Sequence, residues 1–235
     1  MGIEFRQIHL QADEQGKTNL AVKDLEGVAQ PTSASWEEVF ECVLMPSDVK
    51  GLRILDVGAG ASDAVCKLLE LGAEAYAIDP RYRSRADLKG RVKKHNKLVS
   101  NKLRRNEALE SFMESAKSRP ERYLEASATE IPFPDNFFDI VYSRIAVTSY
   151  LDVDRDIFSN AVEECIRVAK TGGSIRFFPY MDVEPGWPPE VNELRIDNER
   201  EVVNRLKKDS RIKGISEEDV NINGLADKTL IIEKA

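Results

Sequence analysis

The spacing of apolar positions changes character several times along the chain. Residues 3–11 alternate and are rich in β-formers, Asp13-Glu14-Gln15-Gly16 has the composition of a turn, and 18–23 can return as a second strand, so a hairpin is expected there. Pro31 ends it. Ser35 followed by Glu38 has the form of a capping box, and Val39, Phe40, Val43 and Leu44 make one apolar face of a helix of about ten residues. Pro46 stops that helix.

From residue 52 onward, strand and helix alternate. Leu52–Val57 is a short apolar strand that runs into glycines. Ser62 can cap the next helix, which turns Val65, Leu68 and Leu69 inward and places Gly72 just past its end. Glu74–Asp79, Tyr123–Ala126, Phe138–Ser143 and Ser174–Phe178 read as the second to fifth strands. A helix is expected from about Asp154 to Ala169, with Phe158, Ala161, Val162, Cys165 and Val168 on one face and Gly172-Gly173 as its stop. After Pro188-Pro189 a polar helix runs to about Lys208, and weaker strands follow near 217–222 and 228–233. Such alternation predicts an α/β fold with a doubly wound, mostly parallel sheet. Ligands bind these sheets at the carboxyl ends of the strands. Gly58–Ser62, Asp79 and Ser143-Arg144 should therefore surround one crevice.

Composition narrows the class. The 235 residues are 42% apolar and 32% charged, with a net charge of −7. That suits one α/β domain over 47–235 behind an N-terminal extension over 1–46. No apolar run approaches the roughly 18 residues of a membrane span. The start has no secretory h-region, and Arg6 stands where a myristoylation signal at Gly2 needs Ser or Thr. Cys42, Cys66 and Cys165 are odd in number and form no C-x-x-C pair, so reduced, buried thiols in a cytoplasmic protein are expected. His9 and His95 are the only histidines and lie far apart, so no metal site is expected. The charge is uneven. The stretch 81–122 holds 14 Lys and Arg against 5 Asp and Glu, while the rest of the chain is strongly acidic. Between two strands of such a sheet this stretch is long enough for a helical insert, with two helical faces built on Leu88, Val92, Val99, Leu103 and on Leu109, Phe112, Met113, Ala116.

The glycine loop carries the candidate chemistry. A glycine-rich strand-to-helix turn lets a ligand approach the backbone and offers free N–H groups. The dinucleotide fingerprint G-x-G-x-x-G fits at Gly58 and Gly60, but Asp63 occupies the third glycine position and would repel a pyrophosphate. No G-K-[ST] follows, so a P-loop is excluded. A zwitterionic amino-acid tail tolerates acidic neighbours better. Asp79, 19 residues after Gly60, can accept hydrogen bonds from a ribose in either kind of ligand.

Four stretches in order resemble class I S-adenosyl-L-methionine (SAM)-dependent methyltransferases of the type 11, small-molecule branch. They are Ile54–Gly60, Ala77-Ile78-Asp79-Pro80, Ala126–Asp139 with its Ile131-Pro132-Phe133-Pro134-Asp135 core, and Arg167–Gly173. The resemblance implies a seven-stranded Rossmann-like sheet of order 3-2-1-4-5-7-6, with strand seven antiparallel. It implies SAM as cofactor. Asp56, Gly58 and Gly60 would hold its methionine part, Asp79 its ribose, and Ser127 and Ala128 would flank its adenine, with Ala59, Pro80 and Ser143 also at the cofactor site. Ser62 replaces a common glycine, and Ser127 replaces a common Asp. A neutral acceptor there predicts a weaker bond to adenine.

Methyl transfer from a sulfonium needs alignment and exclusion of water more than acid–base chemistry. No N-P-P-[YF] tetrapeptide follows the fourth strand. Arg144, Tyr150 and Tyr180 are the candidates to face the acceptor, with Asp152 nearby. Three readings remain open at this level: a small-molecule methyltransferase, a methyltransferase recruited to RNA, protein or another acidic partner through 81–122, and a SAM-binding module without turnover.

Overall fold

Short apolar runs separated by helices must pair in parallel when each crossover returns the chain to the same edge of a sheet. The computed structural model of this chain shows that pairing. It describes residues 8–12, 18–22, 33–96, 102–181, 183, 187–222 and 225–235. Strands β1 (Ile8–Ala12) and β2 (Thr18–Val22) form an antiparallel hairpin, and the expected turn at 13–16 lies outside the described residues. Helix α1 (Trp36–Cys42) follows, then β3 (Arg53–Val57), α2 (Ala64–Glu70) and β4 (Glu74–Ile78). The insert is a 3-10 turn (Pro80–Ser84) with helices α3 (Arg85–Asn96) and α4 (Lys102–Ser118). Then come β5 (Tyr123–Leu124), β6 (Phe138–Arg144), α5 (Arg155–Val168), β7 (Ala169–Phe178), α6 (Pro189–Leu206), β8 (Ile212–Ile222) and β9 (Leu225–Lys234).

The main sheet has the order β5-β4-β3-β6-β7-β9-β8. Counted from β3, this is 3-2-1-4-5-7-6. The first five strands are parallel, and β9 runs antiparallel to both β7 and β8. Successive side chains on a strand point to opposite faces. Accordingly Ile54, Ala75, Ala77, Ile140 and Tyr142 join one core with Val39 of α1, Val43 just past its end, Leu68 of α2, and Leu88 and Phe112 of the insert. Leu55, Val57, Ile78 and Val141 join the other, with Phe158 and Val162 of α5 and Val202 of α6.

Three local expectations are corrected. Ser35 is the N-cap of α1, but its hydroxyl makes no capping bond. Glu38 reaches Arg105 and Arg144 instead of its own helix end, where two guanidinium cations attract the carboxylate more strongly than one backbone N–H does. Gly172-Gly173 lies inside β7 rather than after the helix. A β-carbon at Gly173 would come 2.9 Å from the carbonyl oxygens of Asp139 and Lys170, so only glycine permits that close pairing with β6. Strands β8 and β9 are both longer than their apolar cores suggest.

Several of the insert's cations pair within the chain. Arg104 pairs with Glu37 at 2.6 Å, Arg105 with Glu38 at 3.0 Å, and Lys89 and Lys93 with Glu110 at 3.1 and 3.2 Å. Arg85 donates to the carbonyls of Ala116 and Tyr123. Helix α1 thereby joins the insert to the end of β6 through Glu38 and Arg144. No helix of the structure is long and apolar enough to cross a membrane, and no cluster of metal-ligating side chains occurs among the described residues.

Candidate cofactor and active site

The carboxyl ends of β3, β4 and β6 converge because parallel strands in register end together. Gly58 and Gly60 leave β3 with φ of +74° and +57°, a region that L side chains avoid. This sharp exit turns the N–H groups of Gly58 and Ala59 onto the Ile78 carbonyl of β4, at 2.8 and 3.2 Å. Beside it opens a cavity lined by Gly58, Asp79, Pro80, Arg81, Ala126, Ser127, Ala128, Ala146, Tyr150 and Leu151. Most of that wall is apolar, which suits a flat heteroaromatic ring, and Asp79, Arg81 and Ser127 supply the polar groups.

Asp79 links three elements. One carboxylate oxygen accepts the Gly60 N–H at 3.0 Å, and the other accepts the Arg81 N–H at 2.8 Å. It is thus the N-cap of the 3-10 turn, the clasp of the glycine loop and part of the cavity wall, with 1% exposure. Ser127 is held by a local turn, its hydroxyl accepting the Thr129 N–H at 3.2 Å and contacting the Thr129 hydroxyl at 2.8 Å.

Asp56 is buried outside the cavity wall. Tyr142 donates its hydroxyl to Asp56 at 2.9 Å, yet burial pushes the Asp56 carboxyl up to about 7. Ser143 is fully buried and donates to the Val57 carbonyl at 2.8 Å, tying β6 to β3. Arg144 hydrogen-bonds Glu38 and the Cys42 sulfur. Its guanidinium is committed to α1. Tyr180 is 2% exposed and lies outside the cavity. Of the sequence-stated candidates for contact with an acceptor, Tyr150 alone lines it. Ser62 does not cap α2 as N-cap; that position falls to Asp63, while the Ser62 hydroxyl accepts the Ala64 N–H at 3.1 Å.

Arg81, Ala126, Ala146 and Leu151 also line the cavity, beyond the residues expected from the sequence. Arg81 and Ala126 adjoin named residues, so their proximity was a usable signal. Ala146 and Leu151 arrive through a turn with no sequence signature. Ile145 adopts φ +74°, and residues Val147–Leu151 form a π-helical turn. Such turns are frequent at functional sites.

Residues 55–177, just over half of the chain, match the family described as a methyltransferase domain, type 11 branch. The chain belongs to that family. It is a class I SAM-dependent methyltransferase fold, and S-adenosyl-L-methionine is the cofactor of the family. A curated relative, the ubiquinone/menaquinone biosynthesis C-methyltransferase of Vibrio cholerae, is 28% identical over 126 residues, which is 53% of this chain and 40% of that one. The chain spans about two fifths of the length of the curated relatives it matches. Among solved structures, a SAM-dependent methyltransferase from Aquifex aeolicus aligns with a TM-score of 0.45 at 18% identity, covering 90% of this chain and 96% of that one. The 1,6-didemethyltoxoflavin-N1-methyltransferase of Burkholderia thailandensis, which holds S-adenosylhomocysteine (SAH), aligns with a TM-score of 0.47 at 14% identity, covering 79% and 72%.

Proposed function

We propose that this chain transfers the methyl group of SAM to a small-molecule acceptor. The observation that carries the reading is the cavity at the ends of β3, β4 and β6, where the positive-φ glycine loop, Asp79 and the Ala126–Ala128 wall meet. The residues fit the cofactor. An ionised carboxylate accepts about four hydrogen bonds. Asp79 receives two from backbone, which leaves capacity for two ribose hydroxyls. Pro80, Ala126 and Ala128 offer apolar surface for adenine, and Ser127 an acceptor for its amino group. Gly58 lines the cavity and would face the methionine part, and Gly60 holds the loop there through its bond to Asp79.

When bound, SAM supplies an already activated sulfonium methyl. The chain then needs to align the acceptor and exclude water. Tyr150 and Leu151 border the cavity from the turn after β6 and do both. The Vibrio cholerae relative is named for ubiquinone/menaquinone biosynthesis, which favours a metabolite acceptor over a macromolecule. The pairing of the insert's cations with Glu37, Glu38 and Glu110 points the same way, since those charges serve the fold.

The test is incubation with SAM labelled on the methyl group and a cell extract separated into small-molecule, protein and RNA fractions. Label in the small-molecule fraction is expected. Label confined to RNA or protein overturns the acceptor class. Binding of SAH with no label in any fraction makes the chain a binding module.

A further inference from the structure

A buried polar cluster lies behind the turn that carries Tyr150 and Leu151. Asp152, Arg195 and Glu199 are each at most 1% exposed, and Asn192 and Asn198 are nearly as buried. Isolated buried charge is costly, so such a cluster persists only with dense pairing. Arg195 of α6 engages all three nitrogens of its guanidinium. Nε donates to both carboxylate oxygens of Asp152 at 2.9 and 3.1 Å. Nη1 donates to Asn192 Oδ1 at 3.1 Å, and Nη2 to the Thr148 carbonyl at 2.8 Å. Asn198 Nδ2 donates to the Asp152 carbonyl at 2.8 Å. Helix α6 thus grips the backbone at Thr148 and at Asp152, on either side of the two residues that border the cavity.

The gripped turn is strained. A β-branched residue at φ +74°, as at Ile145, is a conformational outlier that persists only when its surroundings over-determine it. The near end is fixed by β6 and by the Ser143 hydroxyl, which accepts the Val147 N–H at 3.2 Å. The far end has Arg195 and Asn198. A lysine cannot replace this, because an ammonium lacks the planar fork that reaches a carboxylate and a carbonyl together. Glu199 faces Asp152 and accepts the Met181 N–H at 2.6 Å, which ties the segment after β7 into the same cluster.

We propose that Arg195 is a positioning residue of the cofactor site, acting through the Thr148 carbonyl and Asp152 to hold Tyr150 and Leu151 against the bound cofactor. The proposal rests on the cofactor reading above and adds a residue 43 positions from Asp152 that touches no ligand.

Calorimetric titration with SAH tests it. Arg195→Lys keeps the buried charge and should weaken SAH binding several-fold. The paired replacement of Arg195→Met with Asp152→Asn removes the ion pair without stranding either of its two charges, frees the Thr148 carbonyl from α6, and should weaken it about tenfold. Leu151→Ala should weaken it by a few-fold alone, and add nothing on top of the paired replacement, since both act on one turn. Losses that multiply, or wild-type affinity in either Arg195 variant, overturn the proposal. If the paired variant fails to fold, Arg195→Lys alone and with Leu151→Ala decides by the same criteria. A wild-type chain that does not bind SAH refutes the cofactor reading itself, which is distinguishable from a wild type that binds and variants that bind equally well.

Discussion

Gly58 and Ala146 face each other so closely that a β-carbon on Gly58 would stand 2.1 Å from the Ala146 methyl carbon. The glycine loop after β3 is therefore set by its neighbour from the turn after β6 as well as by its own dihedral angles. Gly58→Ala would combine a left-handed backbone, which costs about 1–2 kcal/mol for an L residue, with overpacking of about 1–3 kcal/mol. We expect a loss of about 2–4 kcal/mol in chemical denaturation and a loss of SAH binding of about a hundredfold. Wild-type behaviour in both measurements would show that the loop opens freely.

Asp79 is read by removing its acceptors. Asp79→Ala leaves the N–H groups of Gly60 and Arg81 without their partner, each costing about 1–3 kcal/mol when buried. Stability should fall by about 2–4 kcal/mol, and SAH affinity by more than about tenfold. Asp79→Asn keeps one acceptor oxygen and should fall between. If SAH affinity is untouched while stability drops, Asp79 is a cap and clasp only.

Stability should depend on pH through Asp56. Its carboxyl titrates at about 7 in the folded chain and near the ordinary carboxylate value, about 4, when unfolded. Between those values the folded state keeps a proton that the unfolded state has released. The contribution of Asp56 therefore falls as pH rises from about 4 to about 7, by at most about 1.4 kcal/mol per pH unit, and is constant above. Asp63, pushed up to about 6 by burial, acts in the same sense, and burial raises Asp152 as well. Asp56→Asn should flatten the decline in melting temperature between pH 5 and about 7. An unchanged slope in that variant would mean that Asp56 is ionised throughout.

Glu38 bridges two guanidiniums, those of Arg105 and Arg144, at 13% side-chain exposure. Glu38→Gln should leave both cations poorly compensated and cost about 2–3 kcal/mol, after allowance for residual solvent access. For a chain of this size that is about 5–10 °C in melting temperature. A variant that melts with the wild type would mean that the bridge contributes nothing net.

The sheet was legible because each central strand is a short apolar run bounded by glycine, proline or an acidic residue. Where outward side chains are charged, as at Lys213, Glu217, Glu218 and Asp219 of β8, that signal fades and the strand looks shorter than it is. Gly172-Gly173 has the composition of a helix stop, and only the closeness of the β6 backbone reveals its place within β7. The capping box failed for a related reason. Its Glu38 found cations 67 and 106 residues away, and no local pattern encodes them. In the site, Gly58, Asp79, Ser127, Ala128 and Tyr150 were readable because they sit at strand ends or on family stretches. Leu151 and Ala146 were not, because a strained turn brings them in. Arg195 read as one more cation of a polar helix, and only the fold shows it fully buried.

The most direct test of the central claim is calorimetric titration of the intact chain with SAH. One site per chain is expected, with binding weakened by at least about tenfold in Asp79→Ala and about a hundredfold in Gly58→Ala. No heat of binding at about 1 mM ligand, the level at which association is worth only about 4 kcal/mol, would contradict the assignment of this cavity to SAM.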